Sequence, residues 1–208
     1  MSIDKIDDRI RERSLLTHEF YKSWSAGTLT RDALAGYAKE YFALVQAVPE
    51  MMEPMVAGAP AGLRADVAEQ REEEASHIPL WEGFASAFGI TRDELASHEP
   101  LPETKEAIAL MKSLTAEEFA KAACAMYALE LEIPAIAKTK LDGLEKLYGI
   151  RADAALAYFR EHSEADVRHA ATWRSIVAEH ANGGIPDAIE RSLDAQHKLL
   201  DGCHRVYC

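Results

Sequence analysis

Residues Tyr158 to Trp173 read YFREHSEADVRHAATW, and within them His162, Asp166 and His169 stand at offsets of four and seven. A helix turns by roughly 100° per residue, so these offsets return to one stripe and two imidazoles and a carboxylate project the same way. Two readings of that stripe compete. Glu161, Glu164, Arg168 and Arg174 mark much of the helix as wet, which makes the trio part of a solvated face. The alternative is a metal-binding face, which needs further ligands from elsewhere in the chain.

Working outward, apolar spacing predicts helices on both sides. A first helix runs from Ile3 to Trp24 and stops at Gly27. Thr30 caps a second that Pro49 bends or ends and Pro54 interrupts again. A third starts near Ala61, runs through REEEASHIPLWEGFASAF with a break or kink at Pro79, and ends at Gly89. Thr91 with Glu94 forms a capping box for a short helix, and Pro102 suits the first position of the next. Thr115 with Glu118 repeats the box and opens a long apolar helix, kinked at Pro134 and stopped at Gly149. The opening stretch lies in a helix from about Arg151 to Asn182, and a last helix runs from Ile185 to about Gly202. No strand-like alternation, repeat or phosphate loop interrupts this pattern. The expected fold is an all-α, single-domain bundle of about seven or eight helices over residues 1–208.

Composition narrows the function classes. The chain has 208 residues, 48% of them hydrophobic and 28% charged, in the range of soluble helical proteins. A formal net charge of -12 leaves no basic surface for nucleic acid. No apolar run approaches a membrane span and the charged start is unlike a secretory signal, so a cytoplasmic protein is expected. The three cysteines, Cys124, Cys203 and Cys208, make no disulfide framework. Trp24, Trp81 and Trp173 read as core, and His18, His98, His180, His197 and His204 as surface or satisfied residues. Apolar helices with exposed aromatics make a homodimer a further expectation.

The missing ligands are available. Glu130 sits inside an apolar run, where a lone carboxylate needs a cation, a metal or a raised pKa. His77 follows two acids, Glu73 and Glu74, that could share its face; Glu73 is the favoured ligand. With His162, Asp166 and His169 these make three histidines and three carboxylates, the inventory of a dinuclear non-haem iron or manganese site in a helical bundle.

The stretches THEFYKSWSAG, YAKEYF, EEEASHIPLW, LELEIPAIAKTKLDGL and YFREHSEADVRHAATW resemble the CADD-like group of the haem-oxygenase-like di-metal oxidases, related in fold to the pyrroloquinoline-quinone synthase and TenA proteins. The HxxxDxxH arrangement at His162, Asp166 and His169 is the most specific part, followed by Glu130 and Pro134. The resemblance implies an oxygen-dependent enzyme with two non-haem metal ions, iron or an iron and manganese pair, that uses dioxygen and an external reductant. Members of the group make para-aminobenzoate for folate synthesis, consuming one of their own tyrosines and taking nitrogen from one of their own lysines; by resemblance these are Tyr21 and Lys140. Two departures stand out. The family's first Glu lies at the position of Gln70, so either Glu73 replaces it after a two-residue deletion or the site holds five ligands or a single metal. Leu129 replaces a frequent tyrosine.

Other readings remain beside this one. Tyr21 could be an ordinary core residue and Lys140 a surface one, about 15 Å along an ideal helix from Glu130. Tyr37, Tyr41 and Tyr158 could line the cavity or simply pack. The substrate could be an external small molecule. A TenA-like thiamine-salvage hydrolase would use Cys124 as nucleophile, and a non-catalytic interaction protein would use the acidic surface.

Overall fold

Side chains of Ala, Leu and Met recurring every third or fourth residue can leave water only if each helix turns that stripe toward its neighbours. The computed structural model describes the backbone of residues 2–180 and 185–208, with the side chains of 164–167, 180, 185 and 186 outside the described residues. Its helices are α1 (Ile3–Glu12), a 3-10 turn (Leu15–Thr17), α2 (Glu19–Ala26), α3 (Arg31–Gly58), α4 (Arg64–Ser86), α5 (Arg92–Ala96), α6 (Pro102–Thr115), α7 (Phe119–Glu130), α8 (Ile133–Lys146), α9 (Asp153–His180) and α10 (Ile185–Tyr207). No strand occurs among the described residues, and none of the described helices is long and apolar enough to cross a membrane.

The bundle places α4 between α3 and α9, sets α7 and α8 against α9, and closes the far side with α10 on α3, α6 and α7. Buried hydrogen bonds stitch these layers where an unpaired polar atom would cost about 1–3 kcal/mol. Trp81 Nε1 donates to the Ala38 carbonyl at 2.8 Å, tying α4 to α3. Ser192 Oγ donates to Ala125 O at 2.8 Å and Gln196 Nε2 to Ala128 O at 3.1 Å, tying α10 to the alanine-rich face of α7. Tyr127 Oη and Arg174 converge on Asp7 from α7 and α9, at 2.6 and 3.0 Å, and so anchor α1.

The helices divide more finely than spacing predicts. The first segment breaks at 13–18, where Ser14 caps the 3-10 turn and the His18 ring accepts from Phe20 N as the cap of α2. Conversely, α3 runs unbroken through Pro49 and Pro54, because Val48, Met51, Met52 and Met55 are buried on one side and packing outweighs the lost backbone bonds. Thr115 closes α6 with its hydroxyl on Met111 O, and Glu118 stands at the N-cap of α7 without a side-chain capping bond, so only Thr91 and Glu94 form a capping box of the two expected. The expected kink at Pro134 is a full break. α7 ends at Glu130, and α8 restarts at Ile133 with the proline in its first turn.

Gly83 governs how closely α4 approaches α9. A Cβ there would lie 2.6 Å from the Ala154 carbonyl oxygen, a backbone atom that cannot swing aside. Gly83→Ala is therefore expected to destabilise the fold by about 1–3 kcal/mol in denaturant titration. It should do so more than Gly58→Ala, where the added methyl meets nothing.

Candidate metal centre

The buried stripe of α4 runs Val67, Gln70, Glu74, His77, Trp81 and Phe84. Facing it, α9 buries Tyr158, His162, His169 and Trp173. Glu74, His77 and His162 each offer a ligand atom, and these atoms all lie within 4.8 Å of one another. The His162 ring is fixed by Nδ1, which donates to the Tyr158 carbonyl at 2.7 Å, so Nε2 carries the lone pair. The same ring stacks on Tyr158 at 3.9 Å and lies 4.3 Å from the His77 ring. A carboxylate and two oriented imidazoles in a dry pocket are a donor set that suits iron or manganese.

His169 extends the cluster. Its Nε2 donates to Glu73 Oε2 at 2.5 Å, while Nδ1 faces Glu74 Oε1 at 3.5 Å and Glu130 Oε2 at 4.0 Å. Glu130 is buried and accepts from Trp173 Nε1 at 2.9 Å, so that tryptophan does more than fill the core. Burial pushes the Glu74 carboxyl up, but hydrogen bonds from His169 and His77, with His162 nearby, outweigh it and hold the group well below the usual carboxylate range.

The structure therefore brings together His77, Glu130, His162 and His169 from the expected set, with Glu74 rather than Glu73 at the centre. Glu73 stands outside His169, and Arg168 reaches it at 3.6 Å. The reason is helical phase: the core stripe advances by alternating steps of three and four from Val67, and Glu74 is on it while Glu73 is one residue off. That stripe was visible in the sequence. The side chain of Asp166 lies outside the described residues, as do those of Glu164 and His180.

Lys140 is not on the surface. It is 3% exposed, and its Nζ donates to Tyr37 Oη at 2.5 Å. The Nζ also lies 4.7 to 5.8 Å from the ring centres of Tyr41, Tyr37, Phe159, Tyr21 and Trp81. Burial lowers its pKa to about 7, and burial likewise pushes the Tyr21 and Tyr37 phenols well above their ordinary value. Tyr37 and Tyr21 are themselves hydrogen-bonded. The pairing of Lys140 with Tyr37 was missed from sequence, since nothing in spacing joins α3 to α8.

A narrow cavity connects these parts: Tyr21, Tyr41, Lys140, Tyr158, Phe159 and His162 are among its walls. An adjoining hollow shares Tyr41, Tyr158 and His162 and adds Glu74 and Glu130. Cys124 lines neither; it is fully buried, and burial pushes its thiol up to about 12, the wrong direction for a nucleophile.

Comparison with known proteins gives the family and the fold. The model of the iron-containing redox enzyme family matches residues 35–200. The 4-aminobenzoate synthase of Chlamydia trachomatis serovar D is 32% identical over 223 residues, covering 99% of this chain and 96% of its own. A protein of Shewanella denitrificans with a haem-oxygenase-like fold superposes with a TM-score of 0.82 at 19% identity, covering 98% of this chain and 90% of that one. A CADD-like protein of unknown function from Nostoc punctiforme gives 0.76 at 16% identity, covering 99% of both chains. With the family model spanning most of its length, the chain belongs to the iron-containing redox enzymes and has the haem-oxygenase-like fold that its motifs resemble.

Proposed function

We propose that the protein is an oxygen-dependent di-metal oxidase that forms 4-aminobenzoate from its own residues, with Tyr21 supplying the ring and Lys140 the nitrogen. Glu74, His77, Glu130, His162 and His169 would hold the ions, with Asp166 as a further ligand from its place between the two α9 histidines, and Glu73 would orient His169 from outside. When bound, a pair of iron or iron and manganese ions supplies the one-electron oxidising chemistry with dioxygen that an unactivated phenol requires. The observation that carries the proposal is the shared cavity: Lys140, Tyr21 and His162 all line it, with the Lys140 amine 5.5 Å from the centre of the Tyr21 ring.

The chain's own groups prepare the reaction. At neutral pH a large fraction of Lys140 is the free amine, because burial lowers its pKa to about 7, and only the free amine has a lone pair to give. Tyr21 and Tyr37 remain protonated in their apolar setting, so removing an electron from either must also move its proton. Tyr37 holds Lys140 at 2.5 Å and hydrogen-bonds Tyr21, which fixes nitrogen and ring in one place. The apolar walls exclude water from this chemistry.

Elemental analysis of protein loaded with iron or manganese and desalted is expected to find two ions per chain; none would sink the metal reading. Supplied with iron, reductant and air, the protein should release 4-aminobenzoate, carrying ¹⁵N when only its lysines are labelled. Tyr21→Phe and Lys140→Arg should each release none. Product from either variant removes that residue as donor, and oxygen consumption without product in the wild type points to an external substrate.

A stability measurement tests the buried amine independently. Between about pH 7 and 10.5 the unfolded chain binds the Lys140 proton and the folded chain does not, so stability contributed at this site rises with pH across that window. Lys140→Met should therefore stabilise the protein by about 3–5 kcal/mol at pH 6, with the gain shrinking toward pH 10. A gain independent of pH would show that the amine is not desolvated.

A further inference from the structure

Along α4, Asp66, Glu69, Gln70 and Glu73 follow one another at steps of three and one to make a single stripe of mixed burial. Asp66 and Glu69 are exposed, Gln70 is buried, Glu73 is partly buried, and Glu74 and His77 beyond them are buried. With Arg168, His169 and Thr172 of α9, the first four line a hollow open to solvent that shares no lining residue with the cavity that holds Lys140. His169 forms part of its wall. One ring nitrogen meets Glu73 and the other faces Glu74 and Glu130, so a single imidazole stands between the outer carboxylates and the inner ones.

Gln70 is the unexplained member. It is 7% exposed, and its Oε1 has no hydrogen-bond partner among the described residues. A carbonyl oxygen buried in that state costs about 1–3 kcal/mol unless something positive completes it. Three carboxylates surround it against one cation, Arg168, whose side chain is 67% exposed and therefore able to move away. The hollow is net negative and concentrates cations. Its oxygen donors are not among the groups that converge tightly enough to enclose an ion, unlike Glu74, His77 and His162. Loose oxygen donors of this kind suit a hydrated divalent ion in passage rather than a resident one.

We propose that this hollow is the loading vestibule of the metal centre, a transit site where Asp66, Glu69, Glu73 and the Gln70 carbonyl capture a hydrated divalent cation and pass it inward beside His169. The inference rests on the metal-binding reading above and adds a route to it.

The test follows uptake of Mn(II) alone, read from loss of the electron paramagnetic resonance signal of the aquo ion, with final ions per chain from elemental analysis. The double variant Asp66→Asn/Glu69→Gln should take up Mn(II) about tenfold more slowly than wild type at low ionic strength. The gap should narrow in added salt, and the final stoichiometry should be unchanged. A control, Asp93→Asn/Glu99→Gln, removes two carboxylates that line no part of the hollow and should keep the wild-type rate. Equal rates for the vestibule variant and wild type, equal slowing in the control, or a lower final stoichiometry in the vestibule variant would each overturn the inference. Wild-type protein that takes up no Mn(II) overturns the metal reading and this inference with it, whereas normal wild-type uptake matched by the variant overturns this inference alone.

Discussion

Glu74 and Glu130 are acids held where water does not reach them, and a bare carboxylate in such a place costs several kcal/mol. The bundle offsets that cost with two imidazoles and an indole. His169 faces both acids across 3.5 and 4.0 Å, His77 meets Glu74 at 3.2 Å, and Trp173 donates to Glu130. Three helices, α4, α7 and α9, must therefore stay in register to within a fraction of a helical turn. The close approach that Gly83 permits, and the serine and glutamine bonds from α10 to α7, serve that register.

The break between α7 and α8 solves a second geometric problem. On a straight helix, Lys140 would stand about 15 Å beyond Glu130, too far for both to serve one chamber. Ending α7 at Glu130 and restarting at Ile133 lets α8 leave in a new direction, and Lys140 enters the cavity whose wall includes His162. The proline that looked like a kink in the sequence sits at the start of the new helix, where its missing N–H has no cost.

Helical periodicity was enough to read the all-α bundle, and the HxxxDxxH spacing, the lone acid in an apolar run and the acids beside His77 pointed to His162, His169, Glu130 and His77 as candidates, because each of these signals is local. Where the sequence left a choice between Glu73 and Glu74, the decision lay in the phase of a buried stripe that begins two turns earlier at Val67. The prolines of α3 do not end it as their propensity suggests, because methionines and Val48 buried beside them keep the helix continuous. The Lys140 and Tyr37 contact had no local signature. It joins residues 103 apart in the chain and is made by the long Lys140 side chain of α8 reaching the Tyr37 hydroxyl of α3.

The aromatic cage around Lys140 gives that contact a chemical meaning. A protonated amine gains from ring faces, and five lie within 6 Å of Nζ, yet burial still lowers its pKa to about 7. Desolvation therefore outweighs the rings, and among the described residues no carboxylate hydrogen-bonds Nζ to restore the charge. A lysine kept for stability alone would be better replaced by methionine or paired with an acid. An amine kept partly uncharged, bonded to one phenol and near the ring of another, is in the state that the proposed nitrogen donor requires. On that proposal, the same burial that makes the amine costly would keep its lone pair available.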